Sequence, residues 1–435
     1  MSSVLVTNLA AASGQVDFEG VLVVMAVAVA IPLLLALTPS LPVPPSVVEI
    51  LAGIVIGPAV LGLVEPSDEV IRVLAKLGVA FLLFLAGIEL DFDVIRGRPL
   101  RLGLQAFALS AALGILVTLP LGAADVIVDP LFIGIVLTAT SLGIVIPVLK
   151  DAAQLNTGFG HLVVVACSIA EFGSIVLLSL FFSGSGSAEP IVTVLKLVVL
   201  LLAVLVVAVV VAQAGRSERL TAALFKLQDS SSQIRVRVAV LLLLALLVVT
   251  EDLGLDAILG AFMAGALLSV LTDPEKDEDF GHFRHKLEGL GFGFFIPVFF
   301  VATGIGFPVD ELFSDASTAL RIPLFLLLLF VVRGVPAVLL RKDISRTQVF
   351  ASALMQSTSL SFIVVATTLG VSIGEVRPIN AASLVAAGML SVLIFPATAL
   401  AMLRREERRV EPGSTPGSTS GSIPGSTPGP EGALP

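Results

Sequence analysis

Long apolar runs separated by short polar stretches make up the chain from residue 20 to residue 403. A helix needs about 20 mostly apolar residues to cross the hydrocarbon core of a bilayer. Runs of that order lie near 20–38, 47–64, 70–90, 102–122, 130–149, 160–183 and 191–213. Six more lie near 234–250, 255–271, 288–306, 319–340, 347–370 and 379–403. The pattern predicts an all-α polytopic membrane protein of about 13 transmembrane helices.

Charge in the connecting stretches alternates. Arg96, Arg98 and Arg101 follow the third run, Lys150 the fifth, and Arg216, Arg219, Lys226, Arg235 and Arg237 the seventh. Lys276, Arg284 and Lys286 follow the ninth, Arg341, Lys342 and Arg346 the eleventh, and Arg404, Arg405, Arg408 and Arg409 the last. Those stretches hold 19 of the 25 lysines and arginines, while the intervening ones are acidic, as in VEPSDE and PVDELFSDAS. Cytoplasmic loops carry the excess of Lys and Arg, so the N-terminus is expected outside and the C-terminus in the cytoplasm of a multi-pass cell-membrane protein.

Composition agrees. The chain is 56% hydrophobic and 14% charged, with a mean hydropathy of +1.06, whereas a soluble globule carries about 25% charged residues. The net charge of −9 then describes loops and tails, and no nucleic-acid partner follows from it. A single cysteine, Cys167, lies in an apolar run and reads as an inert core residue. Tyr and Trp are absent, which leaves Phe for any aromatic belt. Residues 1–19 have no basic region ahead of the first apolar run, so they read as an extracytoplasmic N-terminus and not as a removable signal peptide. Residues 404–435 are rich in Gly, Ser, Thr and Pro and read as a disordered cytoplasmic tail, with no soluble regulatory domain expected.

An internal echo appears in the fifth and twelfth runs. TATSLGIVIP (138–147) and QSTSLSFIVV (356–365) both place a Thr-Ser-Leu triplet in mid-run: Thr140 and Ser141 in one, Thr358 and Ser359 in the other. Spans seven apart run in opposite directions, so the two read as an inverted repeat. Secondary transporters are often built this way, with midplane sites at discontinuous helices. Gly143 and Pro147 are expected to interrupt the fifth helix, Pro by removing an internal hydrogen bond. Hydroxyls and freed carbonyls there could coordinate a dehydrated cation. The plainer alternative is that these hydroxyls bond back to their own helices and allow close packing.

Two formal charges lie deep in apolar runs: Glu171 in ACSIAEFGSIV and Arg333 in LFVVRGVPAV. Each costs roughly 3 kcal/mol at a bilayer centre, and such groups usually face a cavity or a partner. They could form a structural ion pair. Alternatively, Glu171 is where protons and metal cations compete, with Ser168, three residues earlier on the same helical face, adding an oxygen ligand. Arg333 does not release its proton, so its role is to brace the site or the broken-helix dipoles. One titratable carboxylate per site implies electroneutral exchange of one proton for one monovalent cation.

Several ordered motifs carry a resemblance. EILAGIVIGPAVLGLV, LAKLGVAFLLFLAGIELDFDVIR, TATSLGIVIPVLKD, DLGLDAILGAFMAGALLS and FFIPVFFVATG resemble segments of the bacterial monovalent cation:proton antiporters, over roughly residues 20–403. This superfamily holds the sodium/proton exchangers and the membrane part of potassium efflux systems. The resemblance implies a homodimer whose protomers combine a scaffold domain (near 20–90 and 191–306) with a core domain (near 102–183 and 319–403). It also implies two crossed discontinuous helices at spans five and twelve, and elevator-like alternating access with the ion beside the span-six carboxylate. Na+ or K+ and H+ are the implied cargo, without a cofactor. Two departures stand out: Ala170-Glu171 stands where the family commonly has Asp-Asp, Asn-Asp or Gln-Asp, and Arg333 stands where electrogenic members have Lys, which resembles the electroneutral ones. The nucleotide-binding domain of the potassium efflux systems is not found in this sequence.

Glu89 and Asp91 end span three and read as interfacial. Glu251, Asp252 and Asp256 could gather cations at an outer entrance or be simple loop charges. His282 and His285, beside Asp277, Glu278 and Asp279, could sense pH. Gly53 and Gly57 form a GxxxG that suits a dimer interface or packing within one protomer. A transporter or channel of another class, with Glu171 purely structural, is the competing reading. An intramembrane hydrolase finds no HExxH or GxSxG to activate water or a nucleophile.

Overall fold

The computed structural model describes residues 18–37, 43–89, 97–182, 233–271, 280–312 and 319–410, with scattered residues between 192 and 209. These form helices without any strand. In chain order they are α1 (Glu19–Leu37), α2 (Pro45–Ile56), α3 (Glu69–Ile88), α4 (Gly97–Ala123), α5 (Pro130–Leu137), α6 (Leu142–Asp151) and α7 (Gly158–Phe182). There follow α8 (Ile234–Asp252), α9 (Ala257–Leu271), α10 (Phe280–Leu290), α11 (Ile296–Ile305), α12 (Arg321–Gly334), α13 (Arg346–Gln356), α14 (Ser361–Ser372) and α15 (Pro378–Val410). A π-helical turn, Gly291–Phe295, joins α10 to α11, and a 3-10 stretch, Val335–Lys342, extends α12.

Local chemistry fixes several of these starts. The Asp68 carboxylate accepts from the Val70 and Ile71 amides and so caps α3. Asp129 accepts from the Phe132 amide ahead of Pro130, whose missing N–H costs nothing in a first turn. Ser345 and Gln348 exchange reciprocal side-chain bonds at the start of α13, a capping box.

Nine helical segments among the described residues are long and apolar enough to cross a membrane. The shorter apolar helices α2 and α9 occupy two more of the expected runs, and α8 coincides with the eighth. The seventh run, 191–213, falls largely outside the described residues, so the expected total of 13 is not established. Residues 1–17 and 411–435 also lie outside them. Within the expected tail, α15 runs on through Val410, so residues 404–410 are helical.

The helices pack in two groups. In one, α3 packs on α9 and α11, α2 on α11, and α8 on α9. In the other, α4, α5, α6, α7, α12, α13, α14 and α15 pack on one another. The groups meet where α9 lies against α7, with the Phe172 and Phe262 rings stacked 5.7 Å apart. The GxxxG of α2 serves packing within the protomer: a Cβ on Gly53 would collide with the Val301 carbonyl of α11, and one on Gly304 with the Ile50 carbonyl of α2. These backbones touch because only hydrogen lies between them.

Candidate functional site

Two breaks meet in the second group. The run 130–151 is helical on both sides of Thr138–Ser141, and the run 346–372 on both sides of Ser357–Leu360. Both Thr-Ser-Leu triplets sit at these breaks, and they bond to each other. The Ser141 amide donates to the Thr358 carbonyl at 2.9 Å. The Leu360 amide donates to the Ser141 hydroxyl at 2.9 Å and the Ser361 amide at 3.3 Å. The Thr140 hydroxyl donates to the Gln356 carbonyl at 2.6 Å. Backbone groups that an interrupted helix leaves unpaired are thus satisfied by the other interruption, as an apolar surrounding demands.

The break lies just before Gly143, and Pro147 is inside α6, so neither residue makes the interruption expected of it. The hydroxyls of Thr138, Thr140 and Ser141 hold the break instead. Thr138 donates to Ile135 and bonds Ser174 of α7 at 2.8 Å. Four helix ends therefore converge: the C-terminal ends of α5 and α13 and the N-terminal ends of α6 and α14. C-terminal ends carry partial negative charge and N-terminal ends partial positive charge.

The two deep charges complement these ends. Arg333 is completely buried, and its Nε donates to Thr140 at 2.9 Å. Its terminal nitrogens donate to Ser110 of α4 at 3.1 Å and to the Gln356 side chain at 3.4 Å. The guanidinium thus lies by the ends of α5 and α13, where positive charge is favoured. Glu171, 6% exposed, turns its carboxylate to the start of α6 and accepts from the Leu142 amide at 3.0 Å. An anion at a helix N-terminus gains about 0.3–1 kcal/mol, up to about 2 where partly buried. The ion pair between Glu171 and Arg333 does not form. Each charge instead takes the helix end of opposite sign. The N-terminus of α14 takes only the neutral Ser141 hydroxyl, which leaves a single carboxylate bonded at the crossing.

Of the other expected site residues, Ser141 accepts two bonds, so both its lone pairs are occupied. Thr140 both donates and accepts. These two hydroxyls tie the crossing together in this conformation. Thr358 bonds back to Leu354 one turn earlier, the plainer alternative. Ser168 is buried on α7, one turn before Glu171. Ser359 keeps a buried hydroxyl with no hydrogen-bond partner, while its amide donates to Ser391. Cys167 is buried in the core.

Sequence reasoning passed over Ser110, Gln356 and Ser391. Gln356 stands at the head of QSTSL, but Ser110 is one hydroxyl in an apolar run and gives no signal. Glu89, read as interfacial, sits at the C-terminal end of α3 with its carboxylate 3.7 Å from the Cβ position of Gly143, at the start of α6. Asp91 lies outside the described residues, as do Asp277, Glu278 and Asp279. His285 is 88% exposed, 3.5 Å from Glu288. Asp256 accepts from the Ile258 amide at the start of α9, and burial pushes its carboxyl above the usual range, while Glu251 and Asp252 are exposed.

The putative Na(+)/H(+) antiporter YjbQ of Bacillus subtilis is 29% identical over 386 residues, which cover 86% of this chain and 61% of YjbQ. The chain thus spans less than two thirds of that relative's length. The Na(+)/H(+)-K(+) antiporter GerN of Bacillus cereus is 29% identical over 272 residues, covering 61% of this chain and 66% of GerN. The structure of the sodium proton antiporter MjNhaP1 from Methanocaldococcus jannaschii superposes with a TM-score of 0.65 at 15% identity, over 89% of this chain and 98% of that one, and so shares the fold. A family model described as sodium/hydrogen exchanger, transmembrane, matches residues 23–405. The chain belongs to the sodium/hydrogen exchanger family.

Proposed function

We propose that this chain is a secondary active antiporter that exchanges a monovalent cation, Na+ or K+, for H+ by alternating access. The observation that carries this reading is the Glu171 carboxylate, buried at the start of α6 and free of any basic partner at the crossing. A carboxylate in that position binds either a proton or a cation, and one occupant must leave before the other binds. Arg333 holds the converging negative helix ends and keeps its own proton throughout. Glu171 is the carrier, Ser168 and the unpartnered Ser359 hydroxyl are candidate further ligands, and Thr140, Ser141 and Thr358 maintain the break. One carboxylate per site favours electroneutral one-for-one exchange.

The printed names of YjbQ and GerN support this cargo. The second helix group, with the crossing, acts as the moving core, and the first as the scaffold of a homodimer in the cell membrane. The N-terminus lies outside and the C-terminus in the cytoplasm. Proteoliposomes holding the chain and a pH dye inside, given pulses of Na+, K+ or Li+ under a clamped potential, test the function. The expected result is proton efflux driven by at least one cation and unchanged by the potential. Absence of efflux with all three contradicts antiport, and a rate that follows the potential contradicts electroneutrality.

A further inference from the structure

We infer that Glu89 is a second cation-handling carboxylate, carried by the opposite helix group, which receives the cation at the mouth of the site and passes it to Glu171. The inference rests on the antiport reading above. Glu89 ends α3 in the first group, whereas Glu171, Leu142 and Gly143 belong to the second, and the Glu89 carboxylate reaches the first turn of α6, whose Leu142 amide holds Glu171. Gly143 makes this approach possible. With no side chain there, the Glu89 carboxylate comes within 3.7 Å of the position a Cβ would hold.

The bonding of Glu89 is incomplete. Its Oε2 is buried without a hydrogen-bond partner. A buried oxygen left in that state is costly, and a bound ion would meet the cost. The carboxylate also lies at the negative end of α3, where an anion is disfavoured and a cation favoured. What balances it in this structure is Arg284 of α10, 3.6 Å from Oε1, while the same arginine is held closely by Glu288 at 2.7 Å. A guanidinium held loosely on one side and tightly on the other can yield the first contact to an arriving cation without losing the second. Side-chain exposure falls from 38% at Arg284 to 16% at Glu89, and Glu171 is 6% exposed. The three mark a route from solvent inward.

If the two groups slide against each other during transport, Glu89 meets Glu171 in only one access state. Glu89 then sets how readily the site fills from that side, while Glu171 performs the exchange. Steady-state flux in proteoliposomes against cation concentration tests this with E89Q and R284Q of the full chain. E89Q is expected to raise the half-saturating cation concentration about tenfold, the loss of one charge-assisted contact, with the maximal rate within about twofold. R284Q removes the competing cation and is expected to lower that concentration. A purely structural pair predicts that both variants fail alike. A half-saturating concentration unmoved in E89Q, or a maximal rate lost at unmoved half-saturation, overturns the inference. If E89Q does not elute as a folded protein from size exclusion, R284Q decides alone: a fall supports the role, and no change or a rise overturns it. Failure of the antiport reading has a different signature, since the unmodified chain itself would then drive no proton flux, and the role of Glu89 would fall with it.

Discussion

Arg333 and Glu171 are both isolated charges in apolar sequence, yet they are stabilised by different means. Arg333 satisfies its donors with neutral oxygens on α4, the first break and α13. Glu171 has one backbone amide and the field of α6. The arginine is therefore fixed by geometry, and the glutamate is the group to which the proposed exchange gives the proton and the cation in turn. This difference predicts the effect of R333K. Lysine keeps the charge but is a point donor on a flexible stem, and it cannot reach Ser110, Thr140 and Gln356 as the planar fork does. Loss of one or two bonds to a buried charge costs about 1.5–3 kcal/mol each. R333K should lower the apparent melting midpoint in detergent clearly below that of the unmodified chain, and an unchanged midpoint would contradict the brace.

At the scale of elements, the crossing was legible and the means of breaking the helices was not. The repeated Thr-Ser-Leu triplet pointed to the two interruptions because such polar groups are expensive in an apolar run unless they bond something. Gly143 and Pro147 misled because helix-breaking propensity is only local. Pro147 is accommodated within α6, whereas the real interruption is held by bonds from a segment more than 200 residues away. The surroundings of Glu89 were not legible for a related reason. Its place in the sequence says only that it ends a span. The first turn of α6 comes to it through packing of α3 against distant helices, and no pattern within one run records that. The GxxxG of α2 was legible as a close contact, but its partner, Gly304, had to come from the structure.

For the whole molecule, the alternation of basic and acidic loops predicts an orientation that can be tested directly. Cys167 is the single cysteine and is buried, so an introduced cysteine is labelled against a nearly silent background. Arg405 and Ser372 are exposed near opposite ends of α15 and α14. In intact cells, S372C should react with a membrane-impermeant maleimide and R405C only after permeabilisation. The reverse pattern would invert the topology. Either orientation leaves the crossing buried in the second helix group, with Glu89 approaching from the first.

The proposed exchange of protons and cations rests on Glu171 at that crossing. The most direct measurement is cation-driven proton flux in proteoliposomes containing E171Q, compared with the unmodified chain at equal protein density. Glutamine preserves size and can still accept from the Leu142 amide, but it neither ionises nor offers an anionic ligand. The account predicts that E171Q folds and gives no flux above that of empty liposomes. Flux persisting in E171Q within a few-fold of the unmodified chain would contradict it.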